Sequence, residues 1–165
     1  MALADTRAQP VSLRTAAVEM AGRNWLTAKL LLEGFEVAVP QVDRGIDLII
    51  FNECGERGIK SLGLQLKCAR EKRFSLHEKY KGRGIPIVYI WSALAQPRAF
   101  ILTYDEAHSE LGEAAKKTKS WASGGHYSFT HVSPDLEVRL KKYEHRWSWL
   151  RDQLANQVTS GLQRD

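Results

Sequence analysis

The segment at residues 59–68 (IKSLGLQLKC) constrains the fold most, because its residues alternate strictly in character. Successive side chains of a β-strand point to opposite faces of a sheet, so this alternation predicts a strand with one packed face. The packed face would consist of Leu62, Leu64, Leu66 and Cys68. The opposite face would present Gly63, Gln65 and Lys67. A glutamine and a lysine there are not explained by core packing, so we expect polar chemistry on that face.

Helical and strand patterns alternate along the rest of the chain, which predicts an α/β fold. Residues 12–33 carry apolar side chains at helical spacing, and this helix would end at Gly34. Apolar or alternating runs predict strands, and these lie at residues 35–39, 45–51, 59–68, 86–91, 99–104 and 126–132. A short basic helix or loop is expected at residues 75–81, and a further helix would begin at Asp105. The expected result is a central sheet flanked by the first helix and the basic helix.

The C-terminal part predicts one long amphipathic helix. Ser133 suits the N-cap position, and Pro134 suits the first turn. One apolar stripe follows at spacings of four and three, formed by Leu136, Leu140, Tyr143, Trp147, Leu150, Leu154 and Val158. We expect this helix at one side of the sheet or at a dimer interface.

Length and composition predict a single domain over residues 1–165, with residues 1–10 as a flexible lead. No run approaches the ~18 apolar residues of a membrane span, and the N-terminus lacks the order of a signal peptide. The two cysteines, Cys54 and Cys68, are too few for a disulfide framework. The expected location is therefore the cytoplasm, without a membrane partner.

Positive charge is concentrated between Lys67 and Arg83. The chain has a formal net charge of +5, and this segment alone, with seven basic and two acidic residues, carries all of it. Such a cluster predicts a phosphate-binding face, although a solvated helix and loop would explain the composition equally well. The candidate nucleic-acid-binding residues are Arg70, Lys72, Arg73, Lys79, Lys81 and Arg83.

Asp47 lies between Ile46 and Leu48 in an apolar strand. An unpaired buried carboxylate is costly, so Asp47 should face a metal ion, a cationic side chain or a hydrogen-bond donor. Neighbouring strands lie about 4.8 Å apart, so Asp47, Gln65 Oε1 and the Leu66 carbonyl can share one small cation if their strands pair in register. Mg²⁺ prefers such oxygen ligands, and Mn²⁺ should substitute. Lys67 can then orient a water or stabilise charge on phosphoryl oxygens.

These motifs resemble those of the PD-(D/E)XK nuclease superfamily, especially its archaeal-type Holliday-junction resolvases and small intron-homing endonucleases. A-V-E at residues 17–19 and G-F-E-V at 34–37 are similar to the first helix and its end. G-I-D-L at 45–48 and Q-L-K at 65–67 are similar to the family's aspartate strand and (D/E)-x-K motif. The resemblance implies a restriction-endonuclease-like core and a Mg²⁺-dependent endodeoxyribonuclease acting on DNA. The catalytic residues that it implies are Glu19, Asp47, Gln65 and Lys67.

Several alternatives stay open at this point. Gln65 replaces the acidic residue of the motif, which removes a negative charge and should weaken binding of a divalent ion. Glu19 can instead be a surface carboxylate beside Arg23, one helical turn away. The chain can also be an inactive nucleic-acid-binding protein of the same fold, or a partner-binding protein that uses its C-terminal helix. A homodimer is expected with the nuclease hypothesis, because a two-fold pair is suited to cutting two strands.

Overall fold

Five strands form a central mixed sheet in this computed structural model, which describes residues 15–42, 44–52, 59–129 and 131–157. In chain order the strands of this sheet are β1 (Glu36–Ala38), β2 (Leu48–Phe51), β3 (Ser61–Cys68), β5 (Ile87–Trp91) and β6 (Arg98–Leu102). Their spatial order is β1-β2-β3-β5-β6. β3 pairs antiparallel with β2 and parallel with β5, so the sheet is mixed, as the sequence predicts. The predicted flexible lead at residues 1–10 lies outside the described residues, as does Cys54.

The first helix, α1 (Thr15–Leu32), packs on one face of the sheet. Its residues Leu26 and Leu30 are fully buried against Leu48 and Leu64 of strands β2 and β3, in a cluster that also includes Val88 of β5. Gly34 has a φ of 83°, and its N–H donates to the Leu31 carbonyl at 3.0 Å. Few residues other than glycine adopt this left-handed conformation easily, so the predicted cap at Gly34 is confirmed.

A second apolar cluster covers the other face of the sheet. Tyr89 and Trp91 of β5 and Phe100 of β6 point to this side and are almost completely buried. The cluster is closed by three helices, α2 (Tyr104–Leu111), α3 (Glu113–Lys116) and α5 (Pro134–Leu140). A short helix, α4 (Lys119–Gly124), adds Trp121 at its edge. The predicted α/β class, a mixed central sheet flanked by helices, is therefore confirmed.

The segment expected as a short basic helix or loop at residues 75–81 contains a strand, so the prediction of a flanking basic helix is wrong. Strand β4 (Phe74–His77) pairs antiparallel with β7 (His126–Phe129) in a separate two-stranded sheet. Phe74 is fully buried and contacts Tyr89, with ring centroids 4.8 Å apart. A single 3₁₀ turn (Glu78–Tyr80) follows. Burial of the apolar side of β4 against the main sheet favours the strand over a helix.

The predicted long C-terminal helix is two helices, α5 and α6 (Trp147–Ala155), separated by a 3₁₀ turn (Lys141–Tyr143) and an extended link. Glu144 forms a β-bridge with Phe100, and the His145 N–H donates to the Ala99 carbonyl at 2.9 Å. His145 has a φ of 50°, which no α-helix contains. The link thus supplies backbone partners to the edge strand β6, and this pairing ends the helix. Val158 of the predicted stripe lies outside the described residues.

Side-chain caps set the starts of α2 and α5. Thr103 caps α2 in a capping box with Glu106, so the helix begins at Tyr104, one residue before the predicted start. Ser133 caps α5 as predicted, because its hydroxyl accepts from the Leu136 N–H at 3.2 Å. Within the described residues, no helix combines the length and apolar character needed to cross a membrane.

Candidate functional site

The candidate site lies where β2 separates from β3. The Asp47 N–H donates to the Leu64 carbonyl at 2.8 Å, and this is where the ladder between the two strands ends. Gly45, two residues earlier, has a φ of 89°, a backbone conformation that favours glycine. The next donor on β3, the N–H of Leu66, donates to Asp47 Oδ2 at 2.6 Å. The Asp47 side chain therefore replaces the backbone acceptor that a longer β2 would have supplied.

Gln65 lies between the two oxygen atoms that the sequence predicts as metal ligands. Its side chain is 6% exposed, and its Nε2 atom donates to Asp47 Oδ2 and to the Leu66 carbonyl, the latter at 3.1 Å. Its Oε1 atom is buried and has no hydrogen-bond partner among the described residues. The structure thus brings Asp47, Gln65 and the Leu66 carbonyl together, with the amide N–H groups facing the two oxygen atoms.

Arg23 is a basic neighbour of Asp47 that sequence reasoning considered only as a partner of Glu19. Its Nη2 atom lies 3.9 Å from Asp47 Oδ1, whereas the described residues include no ion pair between Arg23 and Glu19. The Nε atom of Arg23 is buried and lacks a hydrogen-bond partner within the described part of the chain. The alternative in which Glu19 pairs with Arg23 is therefore not observed, and Glu19 lines the cleft as an exposed carboxylate.

The Cys68 thiol is influenced by both carboxylates of the cleft, Glu19 and Asp47. Burial first, and then the negative charges of Glu19 and Asp47, raise the pKa of the Cys68 thiol to about 12, while the positive charge of Arg23 opposes them. Helix α1 approaches β3 closely here, because a Cβ atom at Gly22 would lie 2.6 Å from Cys68 Sγ. Glycine at position 22 therefore permits the close approach that brings Glu19 to the mouth of the cleft.

Lys67 lies on the same face of β3 as Gln65, opposite Tyr89 of β5. Its Nζ atom is 5.3 Å from the centroid of the Tyr80 ring, and Lys79 Nζ is 5.0 Å from the same centroid. Tyr80 itself is only 3% exposed and packs in the second apolar cluster. A buried aromatic ring thus holds two ammonium groups at one wall of the cleft through cation–π attraction.

The cleft has a volume of about 670 Å³ and an excess of positive charge. Among the described residues, the lining includes two carboxylates and six basic side chains, namely Glu19, Asp47, Arg23, Arg44, Lys67, Arg73, Lys79 and Arg83. Low-dielectric walls strengthen the field of such a charge set, so the cleft attracts anions. Arg44 was missed from the sequence, where its only signal is its position immediately before the turn at Gly45.

The structure divides the predicted phosphate-binding residues into three sets. Arg73, Lys79 and Arg83 line the main cleft. Arg70 and Lys72 line a neighbouring cleft of about 340 Å³, which shares Arg73 with the first. Lys72 is also paired with Glu137 at 2.6 Å, which reduces its availability for a phosphate. Lys81 lines neither of these two clefts.

The donor set at the centre of the cleft suits a hard cation. Among the described residues, no group of three or more His, Cys, Asp or Glu side chains could hold a metal ion. The available ligands are oxygen atoms of a different kind, from one carboxylate, one amide and one backbone carbonyl, with Glu19 nearby. Oxygen donors of this type favour Mg²⁺ or Mn²⁺ over zinc. Gln65 Oε1, the predicted amide ligand atom, is buried without a partner among the described residues and does not face the other two oxygen atoms, because the N–H groups of the amide face them instead.

Comparison of the chain with protein-family models, curated proteins and solved structures finds no match. The function is therefore argued from the geometry and charge of this cleft, together with the motifs at residues 45–48 and 65–67.

Proposed function

We propose that the chain is a Mg²⁺-dependent DNA endonuclease of the PD-(D/E)XK type, which hydrolyses phosphodiester bonds. The observation that carries this proposal is the convergence of Asp47, Gln65, the Leu66 carbonyl and Lys67 in one positively charged cleft. Asp47 and Lys67 are separated by about 20 residues of sequence, so their meeting depends on the register of β2 on β3.

The topology supports a restriction-endonuclease-like core. A helix precedes three strands that pair antiparallel in succession, and β5 then joins parallel to β3. In this arrangement Asp47 and Gln65 reach the same face at the edge where β2 ends. The crossover from β3 to β5 contains the strand β4 and one 3₁₀ turn, and it carries Arg73 and Lys79 to the cleft.

In the proposed mechanism, Asp47, Gln65 and the Leu66 carbonyl would hold the divalent ion, with Glu19 at the cleft mouth. A bound Mg²⁺ ion would polarise the scissile phosphate and lower the pKa of a water molecule. The ammonium group of Lys67 then orients the attacking water or stabilises the charge that develops on the phosphoryl oxygens. Its position against the Tyr80 ring limits its freedom before substrate arrives.

The DNA backbone is the part of the substrate that the cleft is equipped to bind. Arg73, Lys79 and Arg83 can neutralise phosphates on either side of the scissile bond. Contacts of this kind position a nucleic acid without reading its sequence. The expected reaction is therefore hydrolysis of a phosphodiester bond in DNA. Branched or junction DNA and site-specific duplex DNA are both candidate substrates, because backbone contacts do not distinguish them.

The proposal is tested by incubating the protein with four-way junction, linear duplex and single-stranded DNA, with and without Mg²⁺ or Mn²⁺. We expect cleavage of at least one substrate only when a divalent ion is added, and none by Lys67→Ala. Lys141→Ala is the matched control, because this lysine is exposed and does not line the cleft. Equal cleavage by the two variants, or cleavage in excess chelator, would contradict the proposed site.

A second candidate function is an inactive nuclease-fold protein that binds nucleic acid. The observation that favours it is the charge compensation of Asp47 by the Gln65 amide and by Arg23, which needs no metal ion. Such a protein would bind DNA without any requirement for Mg²⁺ and would cleave none of the three substrates. The same assay, run beside a binding measurement, therefore distinguishes the two functions.

We also propose that the protein acts as a homodimer when it cuts both strands of a duplex. Two identical sites related by a two-fold axis match the approximate symmetry of two antiparallel DNA strands. Sedimentation equilibrium of the free protein tests this directly, and a monomer at all concentrations would contradict it.

A further inference from the structure

We propose that the side-chain amide of Gln65 reverses its orientation when a divalent ion binds. In the structure the amide acts as a hydrogen-bond donor, and with a divalent ion bound it would act as a ligand through Oε1. This inference rests on the proposed metal-dependent function, and it assigns to Gln65 a second role that an acidic residue at this position cannot perform.

The Gln65 amide uses both of its N–H groups in the structure. Asp47 Oδ2 and the Leu66 carbonyl are both acceptors, and the Gln65 NH₂ group donates one hydrogen bond to each of them. An amide carries two donors on nitrogen and only acceptors on oxygen. With the opposite orientation, three oxygen atoms would face one another without a proton between them. The N–H groups must therefore face Asp47 whenever no cation is present.

The oxygen atom of the same amide, Gln65 Oε1, lies on the side away from Asp47. Gln65 Oε1 is buried without a hydrogen-bond partner among the described residues, so this orientation carries an uncompensated desolvation penalty. A cation between Asp47 and the Leu66 carbonyl would displace the N–H groups and would attract an oxygen in their place. A half-turn of the amide brings Oε1 to the cation and places the NH₂ group on the side where Oε1 lies in the structure.

Space for the half-turn is available at Gly45. A Cβ atom at this position would lie 3.9 Å from Gln65 Oε1 and 3.1 Å from Arg83 Nη1. Gly45 therefore places no side chain of its own beside the amide, and the Arg83 guanidinium borders this space. The movement needs only rotation about the terminal bond of Gln65, because nitrogen and oxygen of the amide have nearly the same size.

A glutamate at this position would behave differently in both states. A carboxylate cannot donate to Asp47, so two negative groups would lie together in the metal-free protein. Gln65 avoids this repulsion, and it still supplies an oxygen when a cation arrives. We infer that the amide allows the site to stay assembled between cycles of metal binding, in exchange for weaker metal affinity.

The test is a nuclear magnetic resonance titration of protein labelled with ¹⁵N on glutamine side chains, with Mg²⁺ as the added ion. The Gln65 NH₂ signals are identified by their absence in Gln65→Met. Without Mg²⁺ we expect these protons to exchange slowly with water, because both are hydrogen-bonded. On saturation with Mg²⁺ we expect the signals to shift and the protection to be lost. The exposed Gln96 amide serves as the control and should not change.

A calorimetric titration of Mg²⁺ into wild type and Asp47→Ala runs in parallel and separates the possible outcomes. If Mg²⁺ binds through Asp47 and the Gln65 protons remain protected, the reversal is wrong while the proposed function stands. If wild type binds no Mg²⁺, both the reversal and the metal-dependent function are wrong. Loss of protection at Gln65 that requires Asp47 and leaves Gln96 unchanged supports the reversal.

Discussion

The Asp47 carboxylate accepts a hydrogen bond from the backbone N–H of Leu66 at 2.6 Å, at the point where strand β2 stops pairing with β3. Asp47 is therefore part of the sheet as well as part of the cleft. Its Oδ2 atom also accepts from the Gln65 amide. The same carboxylate thus fixes the local backbone and orients the side chain that we propose as a metal ligand.

This double role predicts different outcomes for two substitutions of Asp47. Asp47→Ala leaves the buried Leu66 N–H and the Gln65 amide without an acceptor, which should lower the free energy of unfolding by about 1–3 kcal/mol. Asp47→Asn keeps an oxygen acceptor and should lose less stability, although it loses the charge that a metal ion requires. Urea unfolding of both variants without metal measures the difference. Equal stability of Asp47→Ala and wild type would show that the hydrogen bond to Leu66 has no structural value.

The contact between Gly22 and Cys68 predicts a stability effect far from any ligand. A Cβ atom at Gly22 would lie 2.6 Å from Cys68 Sγ and 3.0 Å from its Cβ, so Gly22→Ala should lower stability by about 1–3 kcal/mol through overpacking. Gly124→Ala is the control, because a Cβ atom there meets nothing within 4 Å. In a double-mutant cycle, Cys68→Ala should recover part of the loss caused by Gly22→Ala. Independent, additive effects would contradict this contact.

The raised pKa of Cys68 predicts slow alkylation and a stability change at high pH. The pKa of about 12 means that the thiol stays protonated in the folded protein, while in the unfolded chain it ionises near its ordinary value of 9.0. Stability from this group is therefore fully present below pH 9 and is lost as pH rises toward 12. Alkylation kinetics in a Cys54→Ser background measure the thiolate fraction. We expect Glu19→Gln to accelerate the reaction, because it removes one of the charges that raise this pKa.

Local patterns made the central strands predictable. β3 was predictable because its alternation of apolar and polar residues matches a sheet with one packed face, and Leu62, Leu64 and Leu66 are indeed buried together. Asp47 was a candidate because a charge inside an apolar strand needs a partner. The meeting of Asp47 with Gln65 required that the consecutive strands β2 and β3 pair, which is favoured for neighbours in sequence, and that they pair in the observed register.

Long-range pairing explains what the sequence did not predict. β4 pairs with β7, about fifty residues later, so its strand character depends on a partner that no local pattern reveals. The C-terminal stripe keeps helical spacing across a break, because Tyr143 and Trp147 both pack inward although the link between them is extended. Arg23 and Arg44 join the cleft through helix placement and through the turn at Gly45, and neither carries a motif of its own.

The division of basic residues predicts that position matters more than total charge for DNA binding. The double variant Lys79→Ala with Arg83→Ala removes two charges from the main cleft. Lys72→Ala with Lys141→Ala removes the same charge, but Lys72 is paired with Glu137 and Lys141 lies outside the cleft. We expect the first variant to bind duplex DNA more weakly and to reduce the salt slope by ~0.9 for each phosphate that it no longer neutralises. Fluorescence anisotropy at several salt concentrations checks this, and equal weakening in the two variants would show that only net charge matters.

Calorimetric titration of Mn²⁺ into wild type, Asp47→Ala and Gln65→Glu tests most directly whether Asp47 and Gln65 form a metal site. We expect Asp47→Ala to lose measurable binding, because it removes the one carboxylate that contacts the Gln65 amide. We expect Gln65→Glu to bind Mn²⁺ more tightly than wild type, because it adds a negative charge to the proposed ligand set. Equal Mn²⁺ affinity in all three proteins would place the ion elsewhere and would contradict the proposed site.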